Sequence, residues 1–193
     1  MTPLGVVDEY GQEKPKVSSC ANLGGVGEKG VTEGGVIEDF ARLFGAELSL
    51  ERFVVKRGNR YFLLDEKLKN LTDKREGWLY SGTYLGKVEG QSFHPSFPLL
   101  FMIAEKAKNR ITVDDKSAWL FVCGRDIFKE GILKIEGSRR KGAYTLVFNR
   151  HGECIGYGKI AKNLDKLKSG LAVKNLLDIG DFLRRERTAV QEA

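Results

Sequence analysis

The chain has 193 residues, 41% hydrophobic and 30% charged, enough for a real core in one ordinary domain or two small ones. No run of about 18 apolar residues occurs, which excludes a transmembrane helix. Its formal net charge of +6 is unevenly placed: residues 1–90 hold 13 Lys+Arg against 14 Asp+Glu, and residues 91–193 hold 19 against 12. The surplus of +7 in the second half suits a polyanion, nucleic acid above all, or else a solvated surface.

The start, "MTPLGVVDEYGQEK", lacks the basic beginning and apolar stretch of a signal peptide. Three separated cysteines, Cys20, Cys123 and Cys154, form no CxxC pair, so the expected setting is a reducing, cytoplasmic one. The two histidines, His94 and His151, lie far from most of the cysteines, and no metal site is expected.

In chain order, residues 1–30 are rich in glycine and poor in large apolar residues, and they read as a flexible lead-in. "VIEDFARLFG" (36–45) places Val36, Ile37, Phe40, Leu43 and Phe44 at helical spacing, with Gly45 as a stop. "RFVVKRGNRYFLLD" (52–65) reads as a hairpin about Arg57-Gly58-Asn59, and "GWLYSGTYLGKVEG" (77–90) as one or two short strands. Residues 31–91 thus form a small α/β domain.

"SFHPSFPLLFMIAEKAKN" (92–109) reads as a connecting helix, with Pro95 and Pro98 at its start. A strand "RITVDD" (110–115) follows, then a short buried helix "KSAWLFVCG" with Trp119 and Phe121 as core. The clearest β signal is "KGAYTLVFNRHGECIGYGKIA" (141–161): a strand over 143–148, a turn at 149–152 and a return over 153–161. "LAVKN" (171–175) is the last strand. It leads into a helix over 178–187 capped by Asp178, with Asp181 in its first turn and Arg184, Arg185 and Arg187 turned away from the core. Residues 188–193 form a tail.

The succession "ITVDDKSAWLFVCGRDIFKEGI", "KGAYTLVFNRHGECIGYGKI" and "LAVKN" resembles the PUA domain, with Lys141-Gly142-Ala143 where that family commonly has KGD. With "YSGTYLGKV" and "VKNLLDIGDFLRRER", the chain is similar to two-domain PUA proteins of archaeal and eukaryotic large-subunit ribosome biogenesis. A second likeness is to the PUA protein associated with RNA five-methylcytosine methyltransferases.

The resemblance implies an α+β protein: a small α/β N-terminal domain, then a PUA-type β-barrel over residues 110–187. It implies a non-catalytic RNA-binding role in rRNA maturation or ribosome assembly, or as an accessory subunit of an RNA-modifying enzyme. Transferred by position, the RNA contacts are Lys174, Lys159, Lys162, Lys168 and Arg125, with the basic run Arg139, Arg140 and Lys141 at the mouth of the hairpin. Arginine and lysine at such places suit phosphate without reading a base. Tyr144, Phe148 and Tyr157 alternate with basic residues, yet on the strands of a small barrel they belong to the core, with base stacking as the alternative. The near-neutral N-terminal domain is the expected surface for a protein partner.

Enzyme readings have less behind them. Gly25-x-Gly27-x-x-Gly30 has the letters of a nucleotide-phosphate loop, with Glu47 at the distance of a ribose contact. It lacks the delivering strand and the immediate helix that give such loops their chemistry. Cys123 and Cys154 read as buried structural thiols, since His151 three residues before Cys154 does not form a catalytic pair by spacing alone. No room remains for a methyl-donor domain, and no cofactor is expected.

Overall fold

A computed structural model describes residues 35–50, 54–65, 82–90, 92–181 and 184. The Gly25–Gly30 motif and most of the expected C-terminal helix lie outside the described residues. Helix α1 (Gly35–Arg42) buries Ile37, Phe40 and Ala41, the face that its apolar spacing defines. Strands β1 (Val54–Arg57) and β2 (Arg60–Leu63) form the expected hairpin, with Gly58 at φ 59° in its two-residue turn. Strands β3 (Thr83–Glu89) and β4 (Ser92–Pro95) complete an antiparallel sheet in the order β1-β2-β3-β4.

Strand β4 corrects the expectation of a helix across 92–109. Ser92–Pro95 pairs with β3, and helix α2 runs only from Phe97 to Lys106. Pro95 ends an edge strand, where its missing N–H costs no ladder bond. Ser96 caps the helix: its hydroxyl accepts from the Leu99 amide at 3.4 Å and donates to the Tyr84 carbonyl at 2.6 Å. Pro98 then occupies the first turn, where no intrahelical N–H is needed.

The second sheet has six strands. They are β5 (Arg110–Val113), β6 (Ile127–Phe128), β7 (Ile132–Glu136), β8 (Tyr144–Phe148), β9 (Cys154–Ile160) and β10 (Leu171–Asp178), in the order β6-β10-β9-β8-β5-β7. Only the β5–β8 pair is parallel. The two edges, β6 and β7, are separated in sequence by a single 3-10 turn, Lys129–Gly131. The sheet must therefore curl until its edges approach, which gives the barrel-like shape. Helix α3 (Asp115–Val122) lies against this barrel.

Two cores follow from the alternation of strand side chains. The inner core joins Ile111, Val113, Phe121, Val147, Ile155 and Val173 inside the curled sheet. The other joins Tyr144, Leu146, Phe148 and Tyr157, on the outer face of β8 and β9, to Phe40, Phe44, Leu99, Leu100 and Ile103 from α1 and α2. Phe40 and Phe44 meet the Tyr157 ring edge-on at 5.7 and 5.6 Å between centroids. Burying a ring of this size contributes about 1.5–3 kcal/mol, so the helices are held to the barrel by its own aromatic face. Asn109 reinforces the seam, donating to the Leu43 carbonyl at 3.2 Å and accepting from the Ser138 amide at 2.9 Å. Tyr144, Phe148 and Tyr157 are thus core residues.

Three further expectations are corrected. Trp119 is 69% exposed, because an eight-residue helix offers one stripe to the barrel and Phe121 fills it. Cys123, at the end of that helix, is exposed, whereas Cys154 is buried. The last strand runs on to Asp178, so that residue is a strand end and not a helix cap. Among the described residues no helix is long and apolar enough to cross a membrane.

Candidate nucleic-acid interface

Period-two alternation puts every second residue of β9 and β10 on the outer face of the barrel. Lys159 pairs directly with Tyr144 on β8 and with Lys174 on β10. Directly opposed residues share a face, so a tyrosine and two lysines form one cross-strand row. The Lys159 ammonium stands 5.3 Å from the centre of the Tyr144 ring, a cation–π contact that holds the stem of the side chain. Lys174 is exposed. Glycines let the backbones approach here: a Cβ at Gly158 would lie 2.4 Å from the Lys174 carbonyl oxygen.

A second basic group gathers where β9 ends and β8 begins. The Gly142 amide donates to the Ile160 carbonyl at 2.8 Å, and the Leu164 amide to the Arg139 carbonyl at 2.9 Å. These bonds tie the loop carrying Arg139, Arg140 and Lys141 to the segment carrying Lys162. Arg140, Lys141 and Lys162 are exposed. Arg139 is engaged with Asp165 at 2.8 Å, so part of its charge is already answered within the protein.

The other two expected residues stand apart. Arg125 is exposed just after α3, and its carbonyl accepts from Asn175, the neighbour of Lys174, at 3.5 Å. Lys168 is exposed in the loop before β10, which Glu130 ties down through the Gly170 amide at 3.1 Å. The structure therefore joins Lys159 with Lys174, and Lys162 with Arg139–Lys141. It leaves Lys168 near the β6 edge.

One element of this surface escapes sequence reasoning. The Asp178 carboxylate is buried and receives Arg184 at 2.7 and 3.0 Å and the Asn175 side-chain amide at 3.0 Å. Arg184 also donates to the Val122 carbonyl at the end of α3. Hydrogen bonding to Asp178 raises the Arg184 pKa above its usual value. Arg184 thus braces β10 against α3, where a side chain turned to solvent was expected. No helical spacing links residues 178 and 184, so nothing in the sequence announces the pair.

Chemistry has little foothold in the described residues. No group of three or more His, Cys, Asp or Glu side chains gathers there as a metal site requires. Burial pushes the Cys154 thiol up to about 11, the wrong direction for a nucleophile. Glu47 lines an open hollow with Glu38, Arg42 and Lys106, a mixed-charge setting.

Residues 109–187 match the sequence profile of the family described as "UPF0113 PUA domain". The chain is similar to the UPF0113 protein of Archaeoglobus fulgidus, 31% identical over 115 residues, which is 56% of this chain and 64% of that relative's length, just under two thirds. It is also similar to the 60S ribosome subunit biogenesis protein NIP7 homolog of Danio rerio, 28% identical over 134 residues, covering 66% of this chain and 74% of the relative. Among solved structures, a conserved PUA domain protein from Thermoplasma acidophilum shares the fold, with a TM-score of 0.56 and 21% identity over 82% of this chain and 96% of the other. The stretch that matches this profile, residues 109–187, holds strands β5 to β10, so the barrel is the part of this chain that is similar to the UPF0113 PUA domain.

Proposed function

We propose that this protein binds RNA during biogenesis of the large ribosomal subunit, through the basic surface of its PUA domain, and does no chemistry on it. The observation that carries this reading is the direct pairing of Lys174 with Lys159 across β9 and β10. Like charges directly opposed on a sheet are destabilising, and a phosphate backbone lying over them turns that repulsion into attraction. The exposed Arg140, Lys141 and Lys162 extend the same sign of charge at the end of the barrel. The process itself is supported by the relatives named as 60S ribosome subunit biogenesis proteins, from Danio rerio and Dictyostelium discoideum. Among the described residues the thiols of Cys123 and Cys154 are free, which suits a reducing compartment such as the cytoplasm.

The test is RNA affinity as a function of salt, for the wild type and for Lys159→Gln/Lys162→Gln/Lys174→Gln. The wild type should lose affinity steeply with salt, and the triple variant should flatten the log–log slope by about 0.7 for each lost single-strand phosphate contact. Unchanged affinity and slope in the triple variant would sink the site assignment. Turnover of an RNA substrate by the purified chain would sink the non-catalytic reading.

A further inference from the structure

One exposed lysine outside the barrel is carried into the basic group at its end. Lys108 sits between α2 and β5, and its amide and that of Asn109 both donate to the Phe44 carbonyl, at 3.1 and 3.0 Å. Gly45, at φ 68°, leaves the space along which the Lys108 stem lies: a Cβ there would stand 3.2 Å from the Lys108 Cβ and 3.8 Å from its Cγ and Cδ. The lysine is thus fixed at its root beside the end of α1, while the residue stays exposed.

Strand pairing brings the basic loop of the barrel to the same place. Arg110 on β5 pairs with Glu136 on β7, so the chain just before β5 meets the chain just after β7. Gly137 passes so close that a Cβ on it would lie 2.5 Å from the Lys108 carbonyl oxygen, and the Ser138 amide donates to the Asn109 side chain at 2.9 Å. Arg140 and Lys141 follow within about 15 Å of chain. The Leu164 amide ties the segment of Lys162 to the Arg139 carbonyl. Two rings link Lys108 to the cross-strand row as well. Phe44, whose carbonyl holds the Lys108 amide, has its ring 6.2 Å from that of Tyr144, and the Lys159 ammonium stands 5.3 Å from the Tyr144 ring. Asp165 answers Arg139, yet among the described residues no ion pair engages Lys108, Arg140, Lys141 or Lys162.

We infer that Lys108 is a further RNA contact: the strand lying over Lys174 and Lys159 crosses the seam between barrel and helices, and one of its phosphates meets Lys108 beside Arg140 and Lys141. Exposed cations without a counter-charge, held on a rigid backbone, form a positive surface that a polyanion neutralises while releasing its own counterions. Lysine is a compact charge, so the contact holds phosphate and reads no base. No large apolar side chain is exposed in these segments, and a protein interface takes its anchors from such residues. The inference rests on the RNA-binding reading above and adds to that site a residue outside the matched stretch, 109–187.

The experiment titrates the full chain with a fluorescein-labelled single-stranded oligoribonucleotide of mixed sequence at several salt concentrations. Lys108→Gln should weaken binding and lower the slope of log affinity against log salt by about 0.7, for one lost contact. Lys108→Arg should keep the wild-type slope, which separates charge from folding. Lys116→Gln, an equal change of charge at an exposed lysine of α3, should leave the slope unchanged. Added to Lys159→Gln/Lys174→Gln, Lys108→Gln should bring the loss to about 2.1, for three contacts. If Lys108→Gln matches wild type while the barrel variant weakens binding, Lys108 is not a contact and the proposed function stands. If Lys108→Arg or Lys116→Gln flattens the slope as much as Lys108→Gln, packing or net charge is the cause and the inference is overturned. If Lys108→Gln loses poly-glutamate binding but keeps RNA binding, the residue serves an acidic protein and the inference falls. If wild-type binding is insensitive to salt, both readings fall.

Discussion

Arg184 reaches back over β10 to hold the buried Asp178 carboxylate through two nitrogens, at 2.7 and 3.0 Å. Breaking a pair with one buried member leaves that member unpaired, and a hydrogen bond to a charged group contributes about 1.5–3 kcal/mol. Arg184→Gln should lower unfolding stability by about 2 kcal/mol, since 40% exposure of Arg184 tempers the loss. Asp178→Asn in the same chain should recover part of it, because no buried charge is then stranded. Chemical denaturation of both variants reads the difference.

Trp119 and Phe121 sit two residues apart on α3 with opposite surroundings, 69% exposed and fully buried. Trp119→Ser should change stability by less than about 0.5 kcal/mol. Phe121→Ala should cost about 3–5 kcal/mol, since it opens a cavity in the inner core. A larger loss from Trp119→Ser than from Phe121→Ala in thermal denaturation would mean that the helix is turned the other way.

Asp114 caps α3, accepting from the Ser117 amide at 2.7 Å. That bond, foremost among its causes, holds the Asp114 carboxyl below its ordinary value. A carboxyl depressed in the folded state contributes stability that is present above its unfolded pKa and is lost as pH falls through the folded one. Asp114→Ala should therefore destabilise by about 1 kcal/mol at neutral pH. The gap to wild type should narrow as pH falls below about 3.9, the ordinary aspartate value. Thermal melts across that window check it, and a constant gap would contradict the coupling.

The two described cysteines differ in burial. Cys123 is exposed, while Cys154 is buried with its pKa pushed up to about 11. A thiol alkylating agent at neutral pH should modify Cys123 first and leave Cys154 intact until the protein unfolds. Peptide mass spectrometry after timed labelling reads the order. Rapid labelling of Cys154 in the native protein would contradict its burial on the aromatic side of β9.

Much of the fold is legible in the chain because its signals are local. The hairpin β1–β2 follows from apolar runs about Gly58-Asn59, and β8–β9 from the alternation about 149–152. The 92–109 segment was only half legible. Its prolines mark a helix start, but whether Ser92–Pro95 is helix or strand depends on β3 lying beside it. The end of the last strand was hidden for a similar reason. Asp178 has the chemistry of a cap, and Arg184 claims it from six residues away.

The candidate RNA surface divides in the same way. Lysines and arginines are visible as letters, and the barrel that carries them was implied by the resemblance to the PUA domain, with alternation and turn residues marking only its separate strands. Which of them share a face was decided by register. Phe148 pairs with Cys154, but Val147 pairs with Gly156, so Ile155 is an extra residue in β9. Without that bulge, Tyr144 would face Gly158 and Lys159 would turn to the opposite side, since a one-residue slip reverses every side chain. The sequence by itself determined the local elements and the sign of the charge, because both depend on neighbours along the chain. Only the tertiary structure decided that Lys159 meets Lys174 and that Lys108 comes beside the loop of Arg140 and Lys141, because those partners meet only when strands pair.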